Sequence, residues 1–283
     1  MIDVPEYCDW VDKKLQKILD KAESEGKKYI LYKKEGNLWQ IVACRNFDGS
    51  TPKGAVGGYI ESEKNLSHEG KAWVGCGAKV YQHARVQDNA LVRGCASVSG
   101  FSVIKDEAQV HGRWEEENTE GIRIYGHSVI RENATIHGGV EIYGEKIDIH
   151  GEAFISGQCE VSGCVEIYEQ ANVGQCALVT NHVKMFGESK AYGNVAIRDY
   201  VVMFGKAQAY GNALLEGYAQ FSGNAQIFEN AHTFGHPTIC GNATILGDAE
   251  IGGFAWIGDM AIIDNKAVVD GDMVVKDNEH LSC

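Results

Sequence analysis

A small residue, any residue and then an aliphatic residue recur every six positions through most of the chain. The repeat holds one phase over residues 72–110, a second over 122–142 and a third over 147–275, with 7, 4 and 22 repeats respectively. Alternate residues of a β-strand point to the same side. The small and aliphatic residues of each repeat therefore define the buried side of 33 short strands.

A residue suited to a positive φ follows each strand. Two positions after the aliphatic residue, the third block has Gly at 14 of its 22 repeats and Asn, Asp, Glu or Gln at the other eight. Gly adopts a positive φ at little cost, and Asn and Asp tolerate it. A corner every six residues closes a triangle after three strands. We therefore predict an all-β solenoid, a left-handed parallel β-helix of about 11 three-sided coils of 18 residues.

Two other all-β architectures fit the period less well. Right-handed β-helices have longer and less uniform coils, and the strands of a β-sandwich are followed by a turn about every 8 to 12 residues. The 18-residue coil makes a specific demand on the core. Four alanines one coil apart should stack inside the solenoid: Ala207, Ala225, Ala243 and Ala261.

The segment before the repeats predicts a small α+β cap. Residues 5–25 place Trp10, Leu15, Ile18 and Leu19 at helical spacing among charged residues, which indicates an amphipathic helix. Strands should follow at Tyr29 to Tyr32 and Leu38 to Cys44, around a turn at Glu35-Gly36-Asn37. We expect a cap over residues 1–59 and a β-helix over 60–283, with a loop insertion at 111–121.

Composition limits the partners and the compartment. The formal net charge of −13 argues against sequence-independent phosphate binding, so no nucleic-acid partner is expected. The start of the chain lacks the features of a secretory signal, and no apolar run reaches membrane-spanning length, so we expect a cytoplasmic protein without a membrane partner. Nine cysteines without CxxC spacing favour reduced thiols over disulfides or a metal site. Cys159 falls on an inward position and is expected in the core.

The segment leading into the repeats adds a resemblance. Residues 57–74 read GGYIESEKNLSHEGKAWV, and with the repeats they resemble the hexapeptide-repeat superfamily of left-handed β-helix proteins. The lead-in is similar to a narrower group of bacterial and phage proteins named as transferases or polymer-forming proteins. Many superfamily members are trimeric acyltransferases that use a histidine beside a coil, a protruding loop and often C-terminal helices. Here the repeats run almost to Cys283 and leave no room for such helices.

The interruption of the repeat holds the candidate catalytic residues. If it is a simple excursion, Arg93, His111 and His137 occupy the same position on successive coils. The imidazoles of His111 and His137, beside the carboxylates of the loop, then offer a general base or an adventitious metal site. The alternative is a solvated loop beside exposed histidines. The loop itself carries Trp114, Glu115, Glu116 and Glu117.

Aromatic residues occupy outward positions that should be polar in a soluble prism. The residue after each aliphatic one, taken every 18 positions, is often Tyr or Phe. Such a row indicates a subunit or partner interface, or a ladder that stabilises its own coils. By analogy with prisms that pack in threes, we expect a homotrimer. The expected interface residues are Tyr168, Phe186, Tyr192, Phe204, Tyr210, Phe228, Phe234 and Leu246. The other histidines, such as His150, His182, His232 and His236, should lie singly on outward positions.

Three functions remain open. The first is a non-enzymatic rigid scaffold or protein-binding β-helix, in a phage-associated setting, that acts through the aromatic face and needs no cofactor. The second is an acyl- or acetyltransferase that uses His111 or His137 with an acyl-coenzyme A donor. The third is a polymer-forming structural protein, against which the N-terminal cap argues because it blocks one end. We favour the scaffold.

Overall fold

Short parallel strands wind into a solenoid of about 12 turns, preceded by one short helix. This computed structural model describes residues 13–47, 49–113 and 121–282. The strands lie on three faces, which we name A, B and C in the order in which the chain visits them in each coil. The corners between them are the AB, BC and CA edges. The predicted all-β solenoid with a small N-terminal cap is confirmed.

The A face is a parallel sheet of 12 strands. Partner residues lie 18 positions apart over most of its length, as in Tyr192 beside Tyr210, which confirms the predicted coil length. Its strands are Trp73–Val74, Leu91–Arg93, Gln109–Gly112, Thr135–Gly138, Phe154–Gly157, Asn172–Val173, Lys190–Gly193, Gln208–Gly211, Gln226–Ile227, Thr244–Ile245, Ile262–Asp264 and His280–Ser282.

The B face begins with a strand that also belongs to the cap, Val56–Ile60, which pairs in parallel with Lys79–Val80. Two long strands, Ile122–Ile130 and Glu141–Ile149, start on this face and continue round the BC edge onto the C face. The other B-face strands are Ala96–Val98, Glu160–Gly163, Leu178–Asn181, Ala196–Ile197, Leu214–Leu215, His232–Thr233, Glu250–Ile251 and Val268–Val269.

The C face completes each coil. A single bridge from Leu66 to Val86 opens it, just after the 3₁₀ turn Glu63–Asn65. Its strands, besides the second halves of the two long ones, are Arg85–Val86, Val103–Ile104, Glu166–Ile167, Lys184–Met185, Val202–Met203, Gln220–Phe221, Thr238–Ile239, Trp256–Ile257 and Val274–Val275.

The core and the corners follow the sequence pattern. Ala207, Ala225, Ala243 and Ala261 are fully buried, as predicted, and Cys159 is buried as well. Every predicted corner of the third block has a positive φ, including residues with side chains such as Glu169 at φ 58°. The corners also pack tightly on one another, because a Cβ at Gly217 would lie 2.4 Å from the carbonyl oxygen of Gly235.

The solenoid has one coil more than the repeat count predicted. The estimate of about 11 coils started at Ala72, whereas the structure has about 12 turns. Ile60 and Leu66 fill the first B and C positions and are fully buried there. His280–Ser282 adds a last strand on the A face. Leu66 and Leu281 have Lys64 and Glu279 where the repeat has a small residue, so a search for the full pattern passes over them.

The cap consists of a helix on an antiparallel sheet. The helix spans Lys13–Ser24, and the strands Tyr29–Glu35 and Leu38–Ala43 pair with each other as predicted. Leu15, Leu19 and Ala22 form the buried stripe of the helix. Ile18 was predicted in that stripe but is 46% exposed, because its position in the helical turn faces away from the sheet. Trp10 lies outside the described residues.

Polar side chains fix the cap to the first coil. The buried ammonium of Lys28 donates to the carbonyl oxygens of Ala72 at 2.7 Å and of Glu69 at 3.2 Å. The hydroxyl of Tyr29 donates to the carbonyl oxygen of Leu66 at 2.7 Å. Because these groups are buried, their hydrogen bonds compensate for the loss of hydration and orient the cap on the solenoid.

Replacing either of two inward serines by alanine should change stability, in opposite directions. The hydroxyl of Ser189 is buried and makes no hydrogen bond within the part of the chain that the structure describes. We expect Ser189→Ala to raise the free energy of unfolding by about 1 kcal/mol, because a buried hydroxyl without a partner is destabilising. Chemical denaturation of the two proteins measures the difference.

Ser128 is the matched control at the equivalent inward position. Its hydroxyl donates to the carbonyl oxygen of Tyr125 at 2.9 Å. Ser128→Ala should therefore lower stability by about 1 kcal/mol. Equal losses in both variants would mean that the Ser189 hydroxyl has a hydrogen-bond partner and would contradict the prediction.

Candidate functional site

The predicted column of Arg93, His111 and His137 forms on the A face. Strand pairing places Arg93 directly beside His111, and His111 beside His137. The interruption of the repeat between His111 and His137 therefore does not change the strand register of the A face. An Nη2 atom of Arg93 lies 3.3 Å from Nδ1 of His111. Arg93 and His137 are exposed, and His111 is half-buried between them.

His111 has an unusual electrostatic environment. Burial, and then the charges of Arg93 and His137, lower the pKa of His111 from 6.5 to about 4. The ring is thus neutral at pH 7. The guanidinium is always a donor, so the short approach assigns Nδ1 as the acceptor and the ring proton to Nε2. Nε2 has no hydrogen-bond partner among the described residues. Trp114, Glu115, Glu116 and Glu117, predicted beside this column, lie outside the described residues.

Two predicted aromatic columns form continuous stacks. On the C face, His150, Tyr168, Phe186 and Phe204 stack with centroid separations of 5.0, 5.0 and 5.2 Å and nearly parallel rings. On the A face, Tyr192, Tyr210 and Phe228 stack at 5.1 and 4.7 Å. All of these side chains are half-buried. Coil repetition therefore turns single outward residues into rows.

The other two predicted interface residues stand outside these ring stacks. Leu246 occupies the next position of the A-face column, beyond Phe228, and is half-buried. Phe234 lies on the B face, where its ring is tilted against His232 at 5.4 Å. Phe234 therefore does not extend either column.

An aromatic row on the BC edge was missed by the sequence analysis. His182, Tyr200, Tyr218, His236 and Phe254 stack with centroid separations of 4.6 to 4.9 Å. Tyr200 is 45% exposed, Tyr218 50% and Phe254 65%, so these rings are far more open to solvent than the two predicted columns. We call this row the BC ridge. The signal was present in the sequence, at the third residue after each aliphatic one taken every 18 positions.

The same edge carries a second, shorter stack. His83, Phe101 and His127 occupy equivalent positions in earlier coils, with centroid separations of 4.7 and 4.9 Å. Between the two stacks the edge carries Cys164 and the site of the extra residue in the repeat. The BC edge is thus aromatic or imidazole-bearing along most of its length.

Four histidines predicted to lie singly have partners instead. His150 and His182 stack on tyrosines, and His236 stacks between Tyr218 and Phe254. The Nε2 atom of His232 lies 3.0 Å from a carboxylate oxygen of Glu216. The partners come from the coils above and below, so the position of a histidine within its own coil does not reveal them.

The sequence was also compared with known proteins. No protein-family model matches the chain, and no curated protein matches it significantly. The parallel solenoid is consistent with a hexapeptide-repeat β-helix, and the narrower relationship suggested by residues 57–74 stays a prediction. Of the helical segments that the structure describes, none is long and apolar enough to cross a membrane.

The environment of His111 predicts a pH dependence. Because its pKa in the fold lies near 4 and its ordinary value is 6.5, the unfolded chain binds a proton between these values and the folded chain does not. This group should therefore lower stability as the pH falls from about 6.5 towards 4, and contribute nothing to the pH dependence above that window. An NMR titration of the ring should give a midpoint of about 4.

Arginine substitutions separate the contribution of burial to the lowered pKa of His111 from that of the Arg93 charge. Arg93→Gln should raise the His111 midpoint without restoring the ordinary value, because burial is the larger cause and remains. Arg85→Gln removes an exposed C-face charge instead and should leave the midpoint unchanged. A wild-type midpoint near 6.5 would contradict the burial of this ring.

Proposed function

We propose that this protein is a rigid, non-enzymatic scaffold that binds a protein partner through its outward aromatic columns. The observation that carries the proposal is the stacking of Tyr168, Phe186 and Phe204 into a straight row on the C face. A second row on the A face, through Tyr192 and Tyr210, supports it. Tyr and Phe are enriched in protein interfaces, where their apolar area is removed from water.

Rigidity supports binding over a long surface. Backbone hydrogen bonds connect each coil to the next, for example from Phe186 N to the carbonyl oxygen of Met203 at 3.0 Å and from Phe204 N to that of Phe221 at 2.9 Å. The stacked rings have little rotamer freedom left to lose. A partner that binds such a row therefore incurs a small entropic cost for ordering the scaffold.

The surroundings of the C-face column define the chemistry of its partner. An open groove runs along the CA edge beside the column and is lined by Glu152, Glu169 and Glu188, with Lys206 at one end. Lys206 lies 3.6 Å from Glu188, whereas Glu152 receives a hydrogen bond from the neutral amide of Gln170, at 2.9 Å. We therefore expect a partner segment that combines apolar side chains for the rings with basic side chains for these carboxylates.

Phe204→Glu tests the proposal. A carboxylate in the aromatic row would have to be desolvated in any complex, so binding through this row should be lost while the fold remains. If the columns join subunits, as the expected homotrimer requires, light scattering at micromolar concentration should show the wild-type assembly dissociate. If the partner is another protein, immobilised wild type should retain it from the native host and Phe204→Glu should not.

Ser156→Glu is the matched control. Ser156 occupies the equivalent position after the aliphatic residue on the A face, before the aromatic row begins. It should behave like wild type in both experiments. A Phe204→Glu protein that keeps its assembly and every wild-type partner would mean that the column only stabilises its own coils.

Acyl transfer is the second candidate, favoured by the alignment of His111 with His137. An imidazole that is neutral at pH 7 is able to accept a proton from an acyl acceptor. If the protein is an acyltransferase, His111→Ala or His137→Ala should abolish turnover of an acyl-coenzyme A donor without unfolding the chain. His83→Ala, an exposed histidine on the BC edge, is the control. Absence of coenzyme A binding to the wild type would leave the scaffold proposal alone.

A further inference from the structure

The BC ridge differs from the other two edges at the same structural position. On the AB edge the third residue after the aliphatic one forms a polar ladder, in which amide hydrogen bonds connect Asn194, Asn212, Asn230 and Asp248 at 2.9 to 3.2 Å. On the CA edge the side-chain amide of Asn224 donates a hydrogen bond of 2.8 Å to that of Asn242. Polar residues thus suffice to connect coils at this position. Stability of the coils alone does not explain five exposed rings on one edge.

We propose that the BC ridge is a self-association seam, along which two copies of this chain pack side by side and antiparallel. The two-fold axis passes through Tyr218, the middle ring of the ridge. The seam is separate from the aromatic columns of the proposed function, and neither proposal depends on the other.

The spacing of the ridge selects this partner. Its rings repeat every 4.6 to 4.9 Å, which is the distance between neighbouring strands of a sheet. A partner that contacts every ring in register must have the same repeat along its length. A second copy of the solenoid has this repeat by construction, so contacts made at one ring are made at all of them.

Other partner classes fit the ridge less well. Sugars stack on the faces of aromatic rings, but each internal ring of the ridge has both faces covered by its neighbours at less than 5 Å. Only the edges of the rings point to solvent. An anionic membrane surface is disfavoured by the net charge of −13.

The ridge is self-complementary when inverted about Tyr218. In the antiparallel arrangement Tyr200 of one copy faces His236 of the other, and His182 faces Phe254. The hydroxyl of Tyr200 then has a nitrogen of His236 as a hydrogen-bond partner, His182 has the ring of Phe254 to contact, and the two Tyr218 rings meet on the axis. These pairs occur twice by symmetry, as an isologous interface requires. In a parallel arrangement each histidine would instead face the same histidine of the other copy.

The area indicates a weak, reversible dimer. A fully buried aromatic side chain removes about 150 to 250 Å² from water, so five half-exposed rings offer roughly 500 Å² per copy. Stable interfaces bury about 800 Å² per partner, which requires neighbouring C-face residues such as Val202 and Gln220 to contribute. We therefore expect a dissociation constant in the micromolar range or above.

Sedimentation equilibrium of the full chain, from about 1 to 300 micromolar, tests the seam. The wild type should show reversible dimerisation. Tyr218→Glu places two carboxylates against each other on the two-fold axis and should weaken association about a hundredfold. Asn224→Glu places the same charge on the next edge of the same coil and should dimerise like wild type. Circular dichroism spectra and thermal melts establish that both variants fold.

Cysteine crosslinking tests the orientation. With every cysteine except the buried Cys44 and Cys159 replaced by serine, Tyr200→Cys and His236→Cys should each give little crosslinked dimer alone. An equal mixture should crosslink efficiently, because the two positions meet only between antiparallel copies. Crosslinking of each variant with itself would indicate parallel copies and would overturn the proposal.

Assembly data separate this seam from the proposed function. A monomeric wild type over the whole concentration range overturns the seam, as does an assembly that survives Tyr218→Glu and dissociates on Phe204→Glu. The reverse result, dissociation by Tyr218→Glu alone, supports the seam and leaves partner binding by the columns to be judged by the retention experiment.

Discussion

A corner with a positive φ after each short strand of the repeats over residues 147–275 is the constraint on which the rest of this structure depends. The corners turn the chain by one face every six residues, and they sit directly on the corners of the next coil, as Gly217 does on Gly235. A side chain that forced a different backbone there would move the whole face. Because the corners fix the coil at 18 residues, each outward position acquires a neighbour of equivalent geometry above and below.

Stacking of equivalent positions gives the prism its surface chemistry. Rings form columns on the A and C faces, amides form a ladder on the AB edge, carboxylates line the CA edge, and exposed rings form the BC ridge. Each row is straight and spans several coils. Recognition by such a surface depends on the match of a whole row, which suits a partner that is itself extended or repetitive.

The candidate site was predictable as far as it depends on period. The alignment of Arg93, His111 and His137 follows from counting across the insertion, and strand pairing agrees with that count. The neutral state of His111 was not predictable, because it depends on burial and on the charge of Arg93, which only packing defines. The BC ridge was predictable in principle, but only by following the third residue after each aliphatic position as well as the first.

The sequence by itself determined the inward residues, the corners and the coil length, because strand alternation and the steric cost of a positive φ act within a few residues. Only the tertiary structure decided the rest. The cap contributes Ile60 and Leu66 to the first coil, and Lys28 is held by the carbonyl oxygen of Ala72. Rings with similar local sequence become half-buried in a column or exposed on an edge. These outcomes depend on contacts between residues far apart in the chain, whose distances no six-residue period specifies.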